Sequence, residues 1–408
     1  MLFTSIICCL DINKTIASYL LDNKDIVAWA SICKFNYSLT YELNSVVLNL
    51  PTNSRFITKH LLANPQITAI MFRKLQYITT LYCNNNITDY GLSKMKHLLS
   101  LNLGNNNKIT DKSIKVLTQL KRLYISKNLI ITEESVKHLV NLECLHLGDN
   151  YNFTNEVLLS LTNLRYLCTG KIMFNDEGFK NLKNLEILEC TNDFYLTNKL
   201  FRYIPNLTTL CTKHNLFTGD GISTLLHLNK LVITSNINIS NDNFMFLKSL
   251  RYLDCGYNYR LNDSTLHYLP NLEHLYKCNN VFTDNGLSRL YNLMSLDCGI
   301  NKNFTNKSFI NLTNLQYLDC GHNTHIKDYT LTFFPNLLYL YCGKNKNISD
   351  IGIIRLDRLI SLDLGSNILI THNGINFLKK LLVLYIQKNK SVDISKITIN
   401  IKSIFIHK

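Results

Sequence analysis

The chain has 408 residues, 46% of them hydrophobic and 18% charged, a balance that excludes a disordered protein. Its formal net charge of +14 favours nucleic acid, an anionic membrane or an acidic protein as partner. No run of five basic residues occurs, so lysines scattered over the surface account for the charge equally well. No uninterrupted apolar stretch of about 18 residues is present, and we expect no membrane span.

The thirteen cysteines are odd in number, and most stand among Leu and Ile residues. A reduced cysteine in such surroundings behaves as a small buried hydrophobe, whereas a secreted disulfide framework needs paired and spaced cysteines. We therefore expect reduced thiols and a cytoplasmic, or alternatively nuclear, location.

The first segment, residues 1–44, differs in pattern from the rest of the chain. Its apolar residues recur at spacings of three and four, which predicts two or three short amphipathic helices. The segment resembles an F-box at Ile16, Tyr19-Leu20, Asp25-Ile26 and Ile32-Cys33-Lys34. It departs from the F-box at Leu10-Asp11-Ile12, where that motif opens Leu-Pro-x-Glu, and in the Trp that usually follows Cys-Lys.

The resemblance implies that this segment docks on a Skp-family adaptor. The residues that would do so are Leu10, Ile16, Leu20, Ile26, Ile32 and Cys33. The alternative is a plain helical cap for the segment that follows. Residues 45–77 are predicted to form a degenerate first repeat or an N-terminal cap.

Residues 78–389 repeat themselves about fifteen times, with 21 or 22 residues per unit in nearly every step. Each unit opens with a Leu or Ile and reads L-x-x-L-x-(L/I/C)-x-x-N. The Asn is present in thirteen of the fifteen units, and Ile172 and Asp193 replace it in the other two. The L-x-L core alternates with period two, which predicts a short strand with Leu or Cys pointing inward. Phrases such as Ile109-Thr110-Asp111 follow, and their hydroxyl is suited to cap a short helix.

These repeats resemble the leucine-rich-repeat family. The resemblance implies an α/β solenoid with a parallel concave sheet and short convex helices, preceded here by the F-box-like segment. Since one unit cannot bury its own apolar edge, neighbouring units must stack. Residues 390–408 lose the repeat pattern, and their alternation predicts a C-terminal cap strand.

The combination of both motifs resembles the F-box/leucine-rich-repeat proteins encoded by giant DNA viruses of amoebae. It implies the substrate-recruiting subunit of a cullin–RING ubiquitin ligase, acting in the host cytoplasm, with a Skp-family adaptor, a cullin and an unidentified target protein as partners. A repeat scaffold without any ligase link is the alternative. Binding of nucleic acid is a third hypothesis, which the scattered lysines and a group of acidic residues in the later units disfavour.

The phrase Leu-Asp-Cys-Gly, at 253–256, 296–299 and 318–321, places an acid beside a thiol. Consecutive strand residues face opposite sides, so Asp319 is predicted to point outward and Cys320 inward, and the two cannot act on one substrate. The run Cys320-Gly321-His322-x-x-His325 is not expected to converge on a metal ion for the same reason. Without a phosphate-binding glycine loop or a nucleophile elbow, we expect no enzyme, no cofactor and no metal site.

The outward positions of the later units are rich in Tyr and Asp, and Tyr is favoured at interfaces. We predict a concave partner-binding surface formed by Tyr276, Asp297, Tyr317, Asp319, Tyr339, Tyr341, Asp363 and Tyr385. Neutral drift at exposed strand positions is the alternative explanation. Earlier units carry basic residues such as Lys121 and Arg165 instead. Lys277 is anomalous, since it falls in an inward column, and we expect a local bulge there.

Overall fold

The computed structural model describes residues 79–407 except 84–86, 127, 171, 173, 192–194, 214–215, 236–237, 279–280, 299–300, 324 and 388–390. The predicted F-box-like segment, its six docking residues and the predicted cap at 45–77 lie outside the described residues.

The chain divides into two compact units, the second beginning at Leu196. The strands of the first unit are β1 (Thr80–Tyr82), β2 (Ser100–Asn102), β3 (Arg122–Tyr124), β4 (Cys144–His146), β5 (Tyr166–Gly170) and β6 (Ile187–Thr191). Those of the second are β7 (Thr209–Lys213), β8 (Lys230–Thr234), β9 (Tyr252–Asp254), β10 (His274–Tyr276), β11 (Ser295–Asp297), β12 (Tyr317–Asp319), β13 (Tyr339–Tyr341), β14 (Ser361–Asp363), β15 (Val383–Gln387) and β16 (Ser403–His407).

Within each unit every strand pairs in parallel with the next strand along the chain. The register advances by one repeat at each step, so that Leu101 opposes Leu123 in the first unit and Leu318 opposes Leu340 in the second. Equivalent positions of successive repeats therefore become neighbours about 4.8 Å apart. The predicted parallel sheet is thus confirmed, and a residue's column in the repeat determines its neighbours.

The inward columns form the core, as the period-two pattern predicted. Leu98, Leu101 and Leu103 of one repeat are fully buried, and so are Leu315, Leu318 and Cys320 of another. Behind them lie aromatic side chains, such as Phe309, whose ring meets those of Phe304 and Phe334 edge to face. Cys in the inward column simply replaces the Leu of other repeats.

The repeated Asn residues form a buried hydrogen-bonded ladder. Asn345 donates from Nδ2 to the carbonyls of Asn323 and Ile326, at 2.6 and 3.0 Å. Its Oδ1 accepts the backbone N–H of Asn347 at 2.8 Å. The Asn side chain therefore pairs with backbone groups of its own repeat and of the preceding repeat. Each link satisfies carbonyls that would otherwise be buried without a partner.

The connecting helices are one or two turns long. The α-helices are Asp89–Leu92, Asp111–Ile114, Glu133–Val136, Asn155–Ser160, Gly219–Ile222, Asp263–His267, Asp284–Leu287, Asn306–Phe309, Asp350–Ile353 and His372–Ile375. The 3-10 helices are Asp176–Phe179, Asn198–Arg202, Asn241–Phe246, Asp328–Phe333 and Ile394–Lys396. In the described part of the chain, none combines the length and apolar content that crossing a bilayer requires.

A Thr or Ser before most of these helices acts as the predicted N-cap, and the acid after it can tie neighbouring repeats together. Thr110 accepts the N–H of Lys112 through its hydroxyl oxygen. The same hydroxyl donates to Asp89 of the preceding repeat at 2.6 Å, and Ser113 also donates to Asp89. Many acids of the chain are therefore structural members of this second ladder.

The last described strand, β16, lies at the edge of the sheet in the second unit. Residues Ser403–His407 form β16, which pairs in parallel with all five residues of β15.

Candidate functional site

The eight predicted surface residues lie on one face of six successive strands. They occupy the two outward positions of β10 to β15, and every one of them is half-buried. We call this set the Tyr–Asp band, and its members are Tyr276, Asp297, Tyr317, Asp319, Tyr339, Tyr341, Asp363 and Tyr385. The repeat period thus brings together residues that span 110 positions of sequence.

Aromatic contacts continue the Tyr–Asp band at both ends. The ring of Tyr276 lies 6.1 Å from that of Tyr317 and stacks at 5.0 Å on Tyr252 of β9. At the other end, Tyr385 stacks on Phe405 of β16 at 4.8 Å. These outer aromatic residues were not in the predicted set, although register comparison of adjacent repeats would have found Phe405.

Carboxyl groups lie side by side in the middle of the band. Asp297 and Asp319 are register partners on β11 and β12, and Asp363 is two strands further on. Burial raises the pKa of Asp319 to about 7, and the charges of Asp297 and Asp363 add to the effect. In the described part of the chain no lysine or arginine forms an ion pair with Asp319. The middle of the band is therefore acidic, with three carboxyl groups on four successive strands.

Tyrosines around these acids remain neutral phenols. Burial, followed by the charges of Asp319 and Asp297, raises the pKa of Tyr317 above its ordinary range. Burial, followed by the charges of Asp363 and Asp319, raises the pKa of Tyr341. Both hydroxyls are therefore hydrogen-bond donors at physiological pH.

The acid of the Leu-Asp-Cys-Gly phrase has a structural role that the sequence interpretation missed. Gly321 donates its backbone N–H to Asp319 Oδ1 at 3.0 Å, and Gly365 donates to Asp363 at 2.9 Å. Such short-range bonds from an Asp to the backbone two residues on stabilise tight turns. The outward Asp therefore also fixes the turn that ends its strand.

The glycine of the phrase makes room for a tyrosine of the next strand. A Cβ added to Gly321 would lie 2.5 Å from Tyr341 Cε1. A Cβ at Gly343, two residues after Tyr341, would lie 3.1 Å from the Tyr341 hydroxyl. The side chain of Tyr341 thus packs against two glycine positions.

The cysteines of the phrase are packing residues, as predicted. Cys255, Cys298 and Cys320 are fully buried, and burial raises the pKa of each thiol. Cys320 Sγ lies 3.5 Å from the carbonyl of Tyr341, to which it can donate. Since His322 and His325 are exposed while Cys320 is buried, this run does not converge on one point.

The backbone conformation of Lys277 keeps its side chain out of the inward column. Its φ of 53° is left-handed, and the turn that follows places Cys278 in the core instead. The Lys277 ammonium then pairs with the buried Asp254 carboxylate at 2.7 Å. The expected bulge is thus a single left-handed residue.

The basic residues of the earlier repeats are largely paired. Lys121 forms an ion pair with Glu143 at 2.7 Å, and Arg165 pairs with Glu186. Both pairs are exposed, so they contribute little to stability. The charges of Lys121 and Arg165 are therefore balanced by acids of the following repeats.

Three metal-ligating side chains meet on the first unit, which the sequence reasoning did not anticipate. His146, Cys168 and Glu189 each offer one donor atom, and these atoms lie within 4.8 Å of one another. They stand 22 and 21 residues apart, one repeat each. Comparison of equivalent positions in adjacent repeats is the signal that would have found them.

No protein-family model and no curated protein matches the chain. Among solved structures it is similar to a leucine-rich-repeat protein of Leptospira interrogans, with a TM-score of 0.52 and 21% identity over 88% of this chain and 95% of the other. It is also similar to an internalin of Listeria monocytogenes (0.43, 23% identity, 83% and 88% covered). A third structure is yeast Rad7 in complex with Elc1 (0.49, 16% identity, 98% and 97% covered).

At such identities the similarity shows the fold alone, and it rests on the Leptospira protein. Together with the parallel strands, inward leucines and Asn ladder, it confirms the leucine-rich-repeat solenoid fold that the sequence implied.

Proposed function

We propose that the chain is a non-enzymatic protein-interaction module whose Tyr–Asp band binds a partner protein. One observation carries this proposal, namely the neighbouring carboxyl groups of Asp297 and Asp319. Like charges directly opposite each other on a sheet are destabilising, and burial increases that cost. A bound cation would remove it.

The chemistry of the band favours a basic segment as its partner. Lysine or arginine side chains would neutralise the carboxylates, and the surrounding tyrosine rings attract cations as well. The same fold already contains such a contact, since Lys230 Nζ lies 4.3 Å from the ring centroid of Tyr252. Nucleic acid would be repelled by the carboxylates, so the band does not support it as the ligand.

An affinity-capture comparison tests the role of the band. We expect Tyr317→Ala with Tyr341→Ala to lose partners that the wild-type chain retains, while circular dichroism stays unchanged. The matched control replaces Tyr259 and Tyr291, which are exposed tyrosines outside the strands. Equal capture by the band variant and the control would place the interface elsewhere.

The finer proposal is that the target is recruited to a cullin–RING ubiquitin ligase. It is supported by the F-box-like residues Leu10, Ile16, Leu20, Ile26, Ile32 and Cys33, which lie outside the described residues. An adaptor of this kind needs no side-chain chemistry, because holding the target close to the charged ubiquitin enzyme is its mechanism.

Co-precipitation of the full chain with purified Skp-family protein and cullin tests this link. We expect binding by the wild-type chain and loss on Leu20→Asp with Ile26→Asp, whereas the band variant Tyr317→Ala with Tyr341→Ala should bind normally. A wild-type chain that does not bind supports the alternative, a repeat scaffold with no ligase link.

A further inference from the structure

His146, Cys168 and Glu189 occupy the same outward position on β4, β5 and β6. His146 is the register partner of Cys168, which is the register partner of Glu189. The shorter side chain stands in the middle, and the longer imidazole and carboxylate reach toward it from both sides. Their donor atoms therefore lie within 4.8 Å of one another although the outer strands are two strand spacings apart.

We propose that His146, Cys168 and Glu189 bind a Zn²⁺-class transition-metal ion through one imidazole nitrogen, one thiolate and one carboxylate oxygen. Mg²⁺ and Ca²⁺ prefer oxygen ligands alone, whereas a mixed set of sulfur, nitrogen and oxygen suits zinc. Tetrahedral zinc with bonds of about 2.0–2.3 Å needs donors about 3.5 Å apart. Small side-chain rotations would reach that spacing from the observed one.

The surroundings of the three residues resemble the outer partners of metal sites. The Tyr166 hydroxyl is hydrogen-bonded to Glu189. The His146 ring lies between the rings of Tyr124 and Tyr166, at 6.0 and 6.5 Å. Hydrogen bonds such as the one between Tyr166 and Glu189 orient ligating side chains and raise metal affinity.

His146 also carries an unsatisfied atom. Its Nδ1 is buried and has no well-aligned hydrogen-bond partner in the described part of the chain. Burying a polar nitrogen without a partner is unfavourable. Metal coordination by the imidazole would fix its tautomer.

The backbone beside the site is held tightly. Gly148 and Gly170 follow His146 and Cys168 by two residues, and both have positive φ. A Cβ at Gly170 would overlap the Gly148 carbonyl, so the two strands are fixed against each other where they leave the site. Three protein ligands on such a support leave a fourth position for water or for a group of a bound partner.

Cobalt binding to the full chain tests the proposal. After removal of metals with a chelator, we expect Co²⁺ to produce a thiolate-to-metal charge-transfer band that Zn²⁺ abolishes. Loss of even an outer partner of a metal ligand weakens affinity by about 10–100-fold, so Cys168→Ser, His146→Ala and Glu189→Gln should each weaken it by at least about 10-fold. Zn²⁺ should also raise the unfolding temperature of the wild-type chain.

Two controls remove the remaining ambiguity. Cys342→Ala deletes a buried thiol from another repeat, and His274→Ala deletes a half-buried imidazole from β10; both should bind Co²⁺ as the wild type does. Glu189→Gln is nearly isosteric, so it keeps the test valid if Cys168→Ser fails to fold. Wild-type Co²⁺ affinity in both Cys168→Ser and Glu189→Gln overturns the proposal, because any metal would then be bound elsewhere.

Discussion

Asp297 and Asp319 are register partners on neighbouring parallel strands, and their carboxyl groups lie on the same half-buried face. In a chain of net charge +14, a neighbouring lysine would have neutralised them easily, yet none pairs with Asp319 in the described part of the chain. This pair of like charges lies at the centre of the face that we propose to bind a cationic partner.

Replacement of Asp319 by Asn should change how stability depends on pH. The pKa of Asp319 in the folded chain is about 7, above its unfolded value of about 3.9. The stabilisation of the folded chain that this difference gives is therefore complete below about pH 4 and is lost as pH rises through 7. We expect Asp319→Asn to be stabilising at pH 8, by on the order of 1 kcal/mol after solvent screening is allowed for, and nearly neutral at pH 4. Urea unfolding at both pH values measures it.

The exposed Asp357 supplies the control for that experiment, since Asp357→Asn should leave the pH profile unchanged. A profile for Asp319→Asn that parallels the wild type would contradict the raised pKa.

Removal of one rung of the Asn ladder should destabilise the fold. Asn345→Ala deletes two buried donated bonds and one part-buried accepted bond, and leaves their backbone partners unsatisfied. We expect a loss of about 2–4 kcal/mol, seen as a lower urea midpoint. Lys346→Ala, at the next and exposed position, should stay within about 0.5 kcal/mol of wild type. Equal midpoints for the two variants would show that the ladder contributes nothing.

Buried thiols of the Leu-Asp-Cys-Gly phrases should resist alkylation. Because only thiolates react and burial raises the pKa of Cys298 and Cys320, we expect both to be protected in the native chain and labelled after unfolding. Peptide mapping by mass spectrometry after iodoacetamide treatment gives the answer for each cysteine. Rapid labelling of Cys320 in the native chain would show that the reagent reaches the inward column.

Gly321 should be coupled energetically to Tyr341. A methyl group at Gly321 would collide with the Tyr341 ring, so Gly321→Ala should cost about 1–3 kcal/mol as overpacking. In the Tyr341→Ala background that cost should largely disappear, which a double-mutant cycle measures directly. Additive effects of the two substitutions would mean that Gly321 is needed for the backbone conformation and not for packing against the Tyr341 ring.

The repeat made most of the fold predictable. Once Leu318 and Asn323 are assigned to columns, their burial and their neighbours follow from the period. The eight members of the Tyr–Asp band were placed on one face by the same counting.

What escaped prediction depended on contacts between repeats or on single backbone angles. Lys277 adopts a left-handed φ, which the sequence does not indicate because glycine is the usual residue in that conformation. The bond from Gly321 to Asp319 gives an outward residue a second, structural role. His146, Cys168 and Glu189 form no local motif, and they become neighbours only when their repeats are aligned.

Selection of peptides from a random display library tests the central claim most directly, namely that the Tyr–Asp band binds a basic segment. We expect the wild-type chain to enrich sequences rich in Lys and Arg, and salt to weaken their binding. The triple variant Asp297→Asn, Asp319→Asn, Asp363→Asn should lose these peptides, whereas Asp357→Asn should keep them. Enriched peptides that bind the triple variant as tightly as the wild type would contradict the claim.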